Sequence, residues 1–329
     1  MSQKRSFVPD DELFSGLLRR LEERACLPGQ LLEQLVLGLL PAAEATEVGA
    51  HIEDCLSCLN TFSRLQALHE SSEPRPRLVG DAPSARRLRQ EMTRLAQMED
   101  GPDAAPPVLV AGERGTGKGV VAWEIHTLSR RASRAFVEVD CTAEPASRLE
   151  LELFGYERGT PPNVAGAAPG LFEAADGGTL FLDDIDALSL DLQGKVLAAI
   201  DSGLVRRLGG GDARPLDVRV IAATDADLAD LVRRGTFRAD LLDRFARSTL
   251  ILLPLRERPD DILPLARAFT ARLAERHGEV RRLTRDAENQ LRRYRWPGNV
   301  RELSTVIERA VTRRSREEIG VEELGLPSM

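Results

Sequence analysis

The length, composition and charge of the chain set the first limits on what it can be. At 329 residues, with 42% hydrophobic and 29% charged residues, it is too long for a single small domain and ordinary in composition for a globular protein. A formal net charge of −7 at pH 7 argues against a protein that mainly coats nucleic acid. Since no apolar stretch is long enough to cross a bilayer and no export signal follows Met1, the sequence predicts a cytoplasmic protein without a membrane partner.

The first 70 residues have the pattern of short amphipathic helices. Residues 1–25 are predicted to form an N-terminal helix, because leucines recur there at helical spacing. Residues 26–70 are predicted to form a small all-helical domain, in which Leu31, Leu32 and Leu35 repeat with the same period. Residues 71–77 contain two prolines and no periodicity, so a linker and a domain boundary are expected there.

Three of the four cysteines lie in this helical segment together with a histidine. His51 and Cys55 are one helical turn apart, Cys58 follows after two more residues, and Cys26 can supply a fourth ligand. Four nitrogen and sulfur ligands at such spacing suit tetrahedral Zn²⁺, which would also stabilise a domain too small for a large core. The alternative is three buried cysteines beside an incidental histidine.

Beyond the linker, short apolar runs alternate with longer amphipathic helices. The runs are rich in branched residues, as buried parallel strands are, and they cover residues 108–110, 136–139, 179–182, 218–222 and 250–253. The alternation predicts an α/β fold over residues 78–256, with a doubly wound parallel sheet that binds nucleotide at the carboxyl ends of its strands. After Pro254 no strand pattern follows, and residues 257–329 are predicted to form an all-helical lid.

A glycine-rich segment follows the first of these strands directly. It has the pattern Gly-x4-Gly-Lys and consists of Gly112, Glu113, Arg114, Gly115, Thr116, Gly117 and Lys118. In a phosphate-binding loop the glycines let backbone amides surround a phosphate, the lysine adds a positive charge, and the next helix presents its amino terminus. The segment therefore predicts an ATP-binding P-loop, and a glycine-rich turn without function is the alternative. The next position, where Ser or Thr usually contacts Mg²⁺, is Gly119.

A second apolar strand ends in two adjacent acids, Asp183 and Asp184. In a nucleotide site the first suits Mg²⁺ and the second suits an attacking water that must be polarised. The alternative is that the two carboxylates only cap the next helix. With a P-loop upstream, the sequence favours the catalytic interpretation.

Together these segments resemble the AAA+ domain of bacterial sigma-54-dependent transcription activators, the enhancer-binding proteins. The matching stretches keep the order of the family. They are GERGTGK (112–118), ELFG (152–155), FEAADGGTLFLD (172–183), GTFRADLLDR (235–244), LRER (255–258) and WPGNVREL (296–303).

The resemblance implies roles for residues outside the two phosphate-site motifs. Arg238 and Arg244 match arginine fingers that enter the neighbouring subunit's site, and Arg301 matches a lid arginine that senses the γ-phosphate. Thr224 and Asp225 occupy the sensor position at the end of the fourth strand. Fingers that act between subunits imply a ring of copies of this chain, a hexamer as in the family, with a sigma factor or RNA polymerase as partner.

Residues 26–68 separately resemble the zinc-binding anti-sigma domain, in which a cysteine precedes two helices and a His-x3-Cys-x2-Cys run follows. The intervening helices are matched by Leu31, Leu35, Gly38, Ala43 and Glu44. This resemblance implies that the domain docks a sigma factor or senses redox state. The Zn²⁺ ligands that it implies are Cys26, His51, Cys55 and Cys58.

The chain departs from the enhancer-binding family at several positions. Asp184 replaces a glutamate, and Asp140 and Asp225 replace asparagines; a shorter carboxylate and added negative charge predict slow hydrolysis. The sigma-54 contact loop, GAFTGA in the family, is GTPPNV over residues 159–164. No helix-turn-helix follows the lid, so no C-terminal DNA-binding domain is expected. The alternative function is a nucleotide-gated binding or scaffold protein with negligible turnover, which acts on another partner through its zinc domain.

Overall fold

The structure is a computed structural model. It describes residues 27, 29–36, 39–54, 58, 62, 77–80, 82–98, 105–142, 145–160, 166–277, 281–312 and 318–327. The predicted N-terminal helix, most of the predicted linker, Cys26 and Cys55 lie outside the described residues. Within these residues no helix is both long enough and apolar enough to cross a lipid bilayer.

Helices and short strands alternate through most of the described chain. In chain order the helices are α1 (Gly29–Val36), α2 (Ala42–Asp54), α3 (Pro83–Gln97), α4 (Lys118–Leu128), α5 (Ala146–Phe154), α6 (Leu171–Ala174), α7 (Leu190–Ser202), α8 (Leu228–Arg233), α9 (Ala239–Phe245), α10 (Pro259–His277), α11 (Arg285–Arg293), α12 (Asn299–Thr312) and α13 (Val321–Leu324). The strands are β1 (Val108–Ala111), β2 (Phe136–Asp140), β3 (Gly155–Tyr156), β4 (Ala168–Pro169), β5 (Thr179–Asp183), β6 (Leu204–Val205), β7 (Arg214–Pro215), β8 (Arg219–Thr224), β9 (Thr249–Ile251), β10 (Arg282–Leu283) and β11 (Glu318–Ile319).

The N-terminal helices α1 and α2 enclose a small apolar core. Its buried members include Leu31 and Leu32 from α1, Val48 and Ile52 from α2, and Cys58. The helical spacing of the leucines predicts this packing, since residues three and four apart share one face of a helix.

A five-stranded sheet in the order β2-β5-β8-β1-β9 forms the centre of the α/β region. Every neighbouring pair in it is parallel, which confirms the predicted parallel sheet. The register aligns the strand ends: Asp140 lies opposite Asp183, and Ala111 lies opposite Thr224. Parallel strands end at the same edge of a sheet, so the P-loop and the acidic pair meet there.

Apolar side chains cover both faces of this sheet because successive residues of a strand point to opposite faces. Along β5, Leu180 and Leu182 pack in one core with α5, α7 and α9, whereas Phe181 packs in a second core with α3 and α4. Two separate cores, one on each face, are what a doubly wound sheet requires.

The C-terminal segment packs α10, α11, α12 and α13 around a third core that includes Trp296 and Leu303, both fully buried. The expectation of an all-helical lid is wrong in one respect, because β10 and β11 form a parallel two-stranded ladder. Each of these strands has two residues, which is too short for an alternating pattern to be visible in the sequence. The antiparallel pairs β3/β4 and β6/β7 escape prediction for the same reason.

Candidate nucleotide-binding site

The P-loop connects the end of β1 to the start of α4. Gly115 and Gly117 have φ angles of 76° and 103°, which side chains other than that of glycine rarely adopt. A Cβ atom on Gly112 would lie 2.8 Å from the carbonyl oxygen of Leu252. Glycine is therefore required by the backbone path itself, which leads the loop directly into the amino terminus of α4, where helix amides favour a phosphate.

Lys118 opens α4 and is the positive group of the loop. Its Nζ donates a hydrogen bond to the carbonyl oxygen of Gly112 at 3.0 Å, and the residue is 9% exposed. The ammonium group is therefore held over the loop, where a phosphate would lie.

A cavity of about 550 Å³ opens between the P-loop, the sheet edge and the lid. This volume is in the range of pockets that hold small ligands. The P-loop lines it with Arg114, Gly115, Gly117, Lys118 and Gly119. The sheet edge contributes Glu138, Asp140 and Asp183, followed by Asp184 just after β5. The lid contributes Arg301, Ser304 and Thr305 among others.

Asp183 and Asp184 face this cavity from the end of β5. Burial raises the pKa of Asp183, its neighbour Asp184 raises it further, and Lys118 opposes both effects. Within the described part of the chain, the buried Oδ1 of Asp183 has no hydrogen-bond partner. A buried carboxylate oxygen that faces a phosphate loop without a partner suits a divalent cation, so these residues fit Mg²⁺.

Arg114 lies over the acids that distinguish this chain from the family pattern. Its guanidinium is 3.4 Å from Asp225 and 4.0 Å from Asp184. Burial raises the pKa of Asp184; Lys118 and Arg114 lower it, while Asp225 and Asp186 raise it. The expected repulsion between the added acids is therefore present but is partly offset by a P-loop side chain that is 75% exposed.

Asp140 and Thr224 are occupied by local contacts. Asp140 accepts hydrogen bonds from the amide and the hydroxyl of Thr142 at 2.8 and 2.6 Å. The Thr224 hydroxyl donates to Asp186, and Thr224 is not among the residues that line the cavity. Thr224 therefore lies outside the cavity lining, in contact with Asp186, and its catalytic role stays a prediction.

The side chain of Glu113 forms a lid contact outside the cavity lining. Its carboxylate accepts two hydrogen bonds from Arg256, at 2.8 and 2.6 Å, and one from Asn299 at 3.2 Å. Arg256 and then Asn299 lower the pKa of Glu113 from 4.5 to about 2. Because the folded-state pKa is depressed, the stability from this pairing is present above pH 4.5 and is lost as the pH falls towards 2. The Glu113 side chain is thus engaged by Arg256 and Asn299, and nucleotide binding by this residue stays a prediction.

Backbone contacts reinforce the junction between P-loop and lid. The carbonyl oxygen of Gly115 accepts hydrogen bonds from the amides of Val300 and Arg301, at 2.9 and 3.2 Å. Arg258 donates to the carbonyl oxygen of Thr116 at 3.0 Å. Sequence reasoning missed this junction, although its arginines and Asn299 lie in the LRER and WPGNVREL stretches.

The two arginines predicted to act between subunits are exposed and lie outside the cavity lining. Arg238 forms an ion pair with Asp240 at 2.6 Å, and Arg244 forms one with Asp201 at 2.5 Å. The structure does not bring them to this chain's own phosphate loop, and their exposure leaves them available to a second copy.

Two of the four predicted zinc ligands are described. His51 has a buried Nε2 without a hydrogen-bond partner among the described residues. The sulfur of the buried Cys58 accepts a hydrogen bond from the amide of Leu27 at 3.2 Å. An imidazole nitrogen and a sulfur of this kind fit Zn²⁺, while Cys26 and Cys55 lie outside the described residues.

The fold and the site define a P-loop nucleotide-binding protein of the AAA+ class, with a parallel sheet, an acidic pair beside the loop, and a helical lid that closes on it. The sigma-54 interaction domain matches residues 78–251, and the AAA+ ATPase lid domain matches residues 256–327. The chain belongs to the family of sigma-54 interaction domain proteins.

Several similar proteins are named as transcription regulators. The Psp operon transcriptional activator of Escherichia coli is 39% identical over 258 residues, 77% of each chain. The nitric oxide reductase transcription regulator NorR1 of Cupriavidus necator is 40% identical over 289 residues, 86% of this chain and 56% of that protein. A crystal structure of NtrX from Brucella abortus in complex with ADP gives a TM-score of 0.69 at 31% identity, covering 83% of this chain and 59% of that chain.

The chain spans only part of several relatives. It covers 56% of NorR1 and 42% of the related regulator NorR2 from the same organism.

Proposed function

We propose that this protein binds ATP with Mg²⁺ in the cavity between the P-loop and the lid, and hydrolyses it as part of transcription regulation. The observation that carries the proposal is that Lys118, Asp183 and the lid residue Arg301 line one cavity. Lysine, a metal-binding acid and a lid arginine are the charges that a triphosphate needs around it.

Each residue has a defined task in this proposal. Lys118 and the P-loop amides hold the phosphates, Asp183 holds Mg²⁺, and Asp184 orients and polarises the attacking water. Arg301 reaches the triphosphate from α12. The chemistry that Mg²⁺ supplies when bound is neutralisation of negative charge on the phosphates.

Substitution of Lys118 by alanine tests the proposal. Loss of one charge-assisted hydrogen bond of about 1.5–3 kcal/mol is expected to weaken nucleotide binding roughly 10- to 100-fold. Titration of a fluorescent ATP analogue and a phosphate-release assay measure binding and turnover. Lys195→Ala is the matched control. Lys195 lies on α7, forms ion pairs with Glu150 and Asp191, and does not line the cavity. Equal binding by Lys118→Ala and the unaltered protein would contradict the proposal.

We further propose that the active form is a ring, a hexamer as in the family, in which Arg238 and Arg244 complete the site of the adjacent subunit. Their exposure and their separation from the chain's own cavity support this arrangement. The partner proposed for the ring is a sigma factor or RNA polymerase, since relatives are named as transcription activators. In the proposed sigma-54 contact loop, Gly159 and Thr160 are described and residues 161–165 are not.

A second candidate is a nucleotide-gated scaffold with negligible turnover. The observation that favours it is that Arg114 forms ion pairs with both Asp184 and Asp225. A carboxylate that is already paired with an arginine is less able to accept a proton from an attacking water. The rate of ATP hydrolysis by Asp184→Glu separates the two candidates. A large gain over the unaltered protein would favour the scaffold, because the native site would then bind ATP but hydrolyse it slowly. A substantial rate that the substitution leaves unchanged would favour the ATPase.

For the N-terminal domain we propose a zinc site made by Cys26, His51, Cys55 and Cys58, used for docking a sigma factor or for redox sensing. Two observations support it: among the described residues the buried Nε2 of His51 has no hydrogen-bond partner, and the sulfur of Cys58 is buried. We expect about one Zn²⁺ per chain in the purified protein by elemental analysis, and its loss in Cys58→Ala. Cys141→Ala is the control, because this buried cysteine lies outside the proposed set. Full zinc content in Cys58→Ala would contradict the site.

A further inference from the structure

The position after the P-loop lysine has no side chain with which to contact a metal. P-loop sites place a Ser or Thr hydroxyl there, on Mg²⁺, but this chain has Gly119. Gly119 lines the cavity next to Lys118. If the site uses Mg²⁺, another oxygen atom must occupy the space that the hydroxyl would fill.

Glu138 on β2 brings a carboxylate to that space. A Cβ atom built on Gly119 would lie 3.9 Å from Oε1 of Glu138 and 3.7 Å from the ring of Phe181. Both distances are ordinary van der Waals contacts, so the missing side chain and the carboxylate are immediate neighbours. Glu138 also lines the nucleotide cavity.

The strand register explains why this glutamate faces the cavity. Val137 and Val139 pack into the core on one face of the sheet, so Glu138 and Asp140 point to the other face. Glu138 lies opposite Phe181 and Asp140 lies opposite Asp183. Glu138 therefore lies two residues before the level of Asp183 along the strands, on the face of the sheet that α4 covers.

Two interpretations of this carboxylate predict opposite effects. A glutamate that only adds negative charge would repel a triphosphate, and its removal would strengthen nucleotide binding with or without metal. A glutamate that contributes to the metal would strengthen binding when Mg²⁺ is present, because Mg²⁺ is held by one or two carboxylates together with substrate phosphates.

We propose that Glu138 supplies the metal-directed oxygen that Gly119 lacks, and so belongs with Asp183 to the Mg²⁺ site. The assignment rests on the proposed ATP-binding function. It explains how a P-loop without the terminal hydroxyl would still offer Mg²⁺ two carboxylates of its own chain.

The test is the effect of Mg²⁺ on nucleotide affinity, measured with a fluorescent ATP analogue in EDTA and again in excess Mg²⁺. The dissociation constant in EDTA divided by that in excess Mg²⁺ measures how much Mg²⁺ strengthens nucleotide binding. Glu138→Gln is expected to lower this ratio roughly 10- to 100-fold, the range found when a metal site loses a supporting group. Binding in EDTA is expected to stay equal or become tighter, which also shows that the variant is folded.

Two further variants sharpen the result. Gly119→Ser added to Glu138→Gln is expected to restore the Mg²⁺ effect, because a serine fits the space at position 119 without overlap. Glu91→Gln is the matched control: it removes one carboxylate from an exposed ion pair with Arg94 on α3, outside the cavity lining, and is expected to keep the Mg²⁺ effect.

An unchanged ratio in Glu138→Gln would overturn the assignment, and so would an equal loss in Glu91→Gln. Failure of the unaltered protein to bind nucleotide in either buffer would overturn the proposed function and the assignment with it. Normal binding with an unchanged ratio would overturn the assignment alone.

Discussion

Replacing Arg238 with alanine is expected to lower ATP turnover by roughly 10³-fold or more, while the affinity for nucleotide stays nearly unchanged. An arginine that enters the site from a neighbouring subunit stabilises charge in the transition state and contributes about 10³–10⁵ to the rate. Arg238 does not line its own cavity, so its loss leaves ground-state binding intact. Steady-state phosphate release and analogue titration separate the two quantities.

A mixed ring tests whether Arg238 acts between subunits. Arg238→Ala subunits retain an intact cavity, and Lys118→Ala subunits retain an intact Arg238. Co-expression of the two inactive variants is therefore expected to recover part of the activity, since some interfaces combine the intact halves. Arg233→Ala is the control, because Arg233 is an exposed arginine of α8 paired with Asp230 at 2.9 Å. Co-assembled rings without any recovery would exclude a shared site.

Changing Asn299 to aspartate is expected to lower the free energy of unfolding by about 2–4 kcal/mol, the sum of one or two unsatisfied buried groups. Asn299 is fully buried. Its Oδ1 accepts from the amide of Leu255 at 2.7 Å, and its Nδ2 donates to Glu113 and to the carbonyl oxygen of Arg114. Aspartate keeps the shape and the acceptor but turns both donated bonds into repulsive contacts.

Urea denaturation measures this loss, and Asn289→Asp is the matched control. Asn289 is exposed on α11, where a surface substitution is expected to change stability by at most about 0.5 kcal/mol. We also expect weaker nucleotide binding in Asn299→Asp, because Arg301 follows two residues later on α12. Equal unfolding curves for the two variants would show that the junction between P-loop and lid does not depend on Asn299.

The sequence predicted those parts of the molecule that are encoded locally. The strand that enters the P-loop, the glycine pattern and the acids that end β5 are each visible within about ten residues, and the structure places them together. The sheet follows from branched apolar runs because burial on both faces requires them.

Contacts between distant residues could not be predicted in this way. Glu113 meets Arg256 across 143 residues and Asn299 across 186, and no periodic pattern connects such pairs. The same is true of Arg114, which the sequence presents as one variable position of the P-loop, although its charge becomes meaningful only beside Asp184 and Asp225. Glu138 likewise has no significance until the fold sets it next to Gly119.

Two hydrogen bonds attach the first turn of α12 to the carbonyl oxygen of Gly115. A movement of the P-loop would therefore tilt this helix about its amino-terminal end. The helix has 14 residues and, at a rise of about 1.5 Å per residue, is about 21 Å long. A tilt of about 5° about the amino-terminal end would displace the carboxyl-terminal end of the helix, at Thr312, by about 2 Å. A small adjustment of the P-loop would thereby be passed to the carboxyl end of α12.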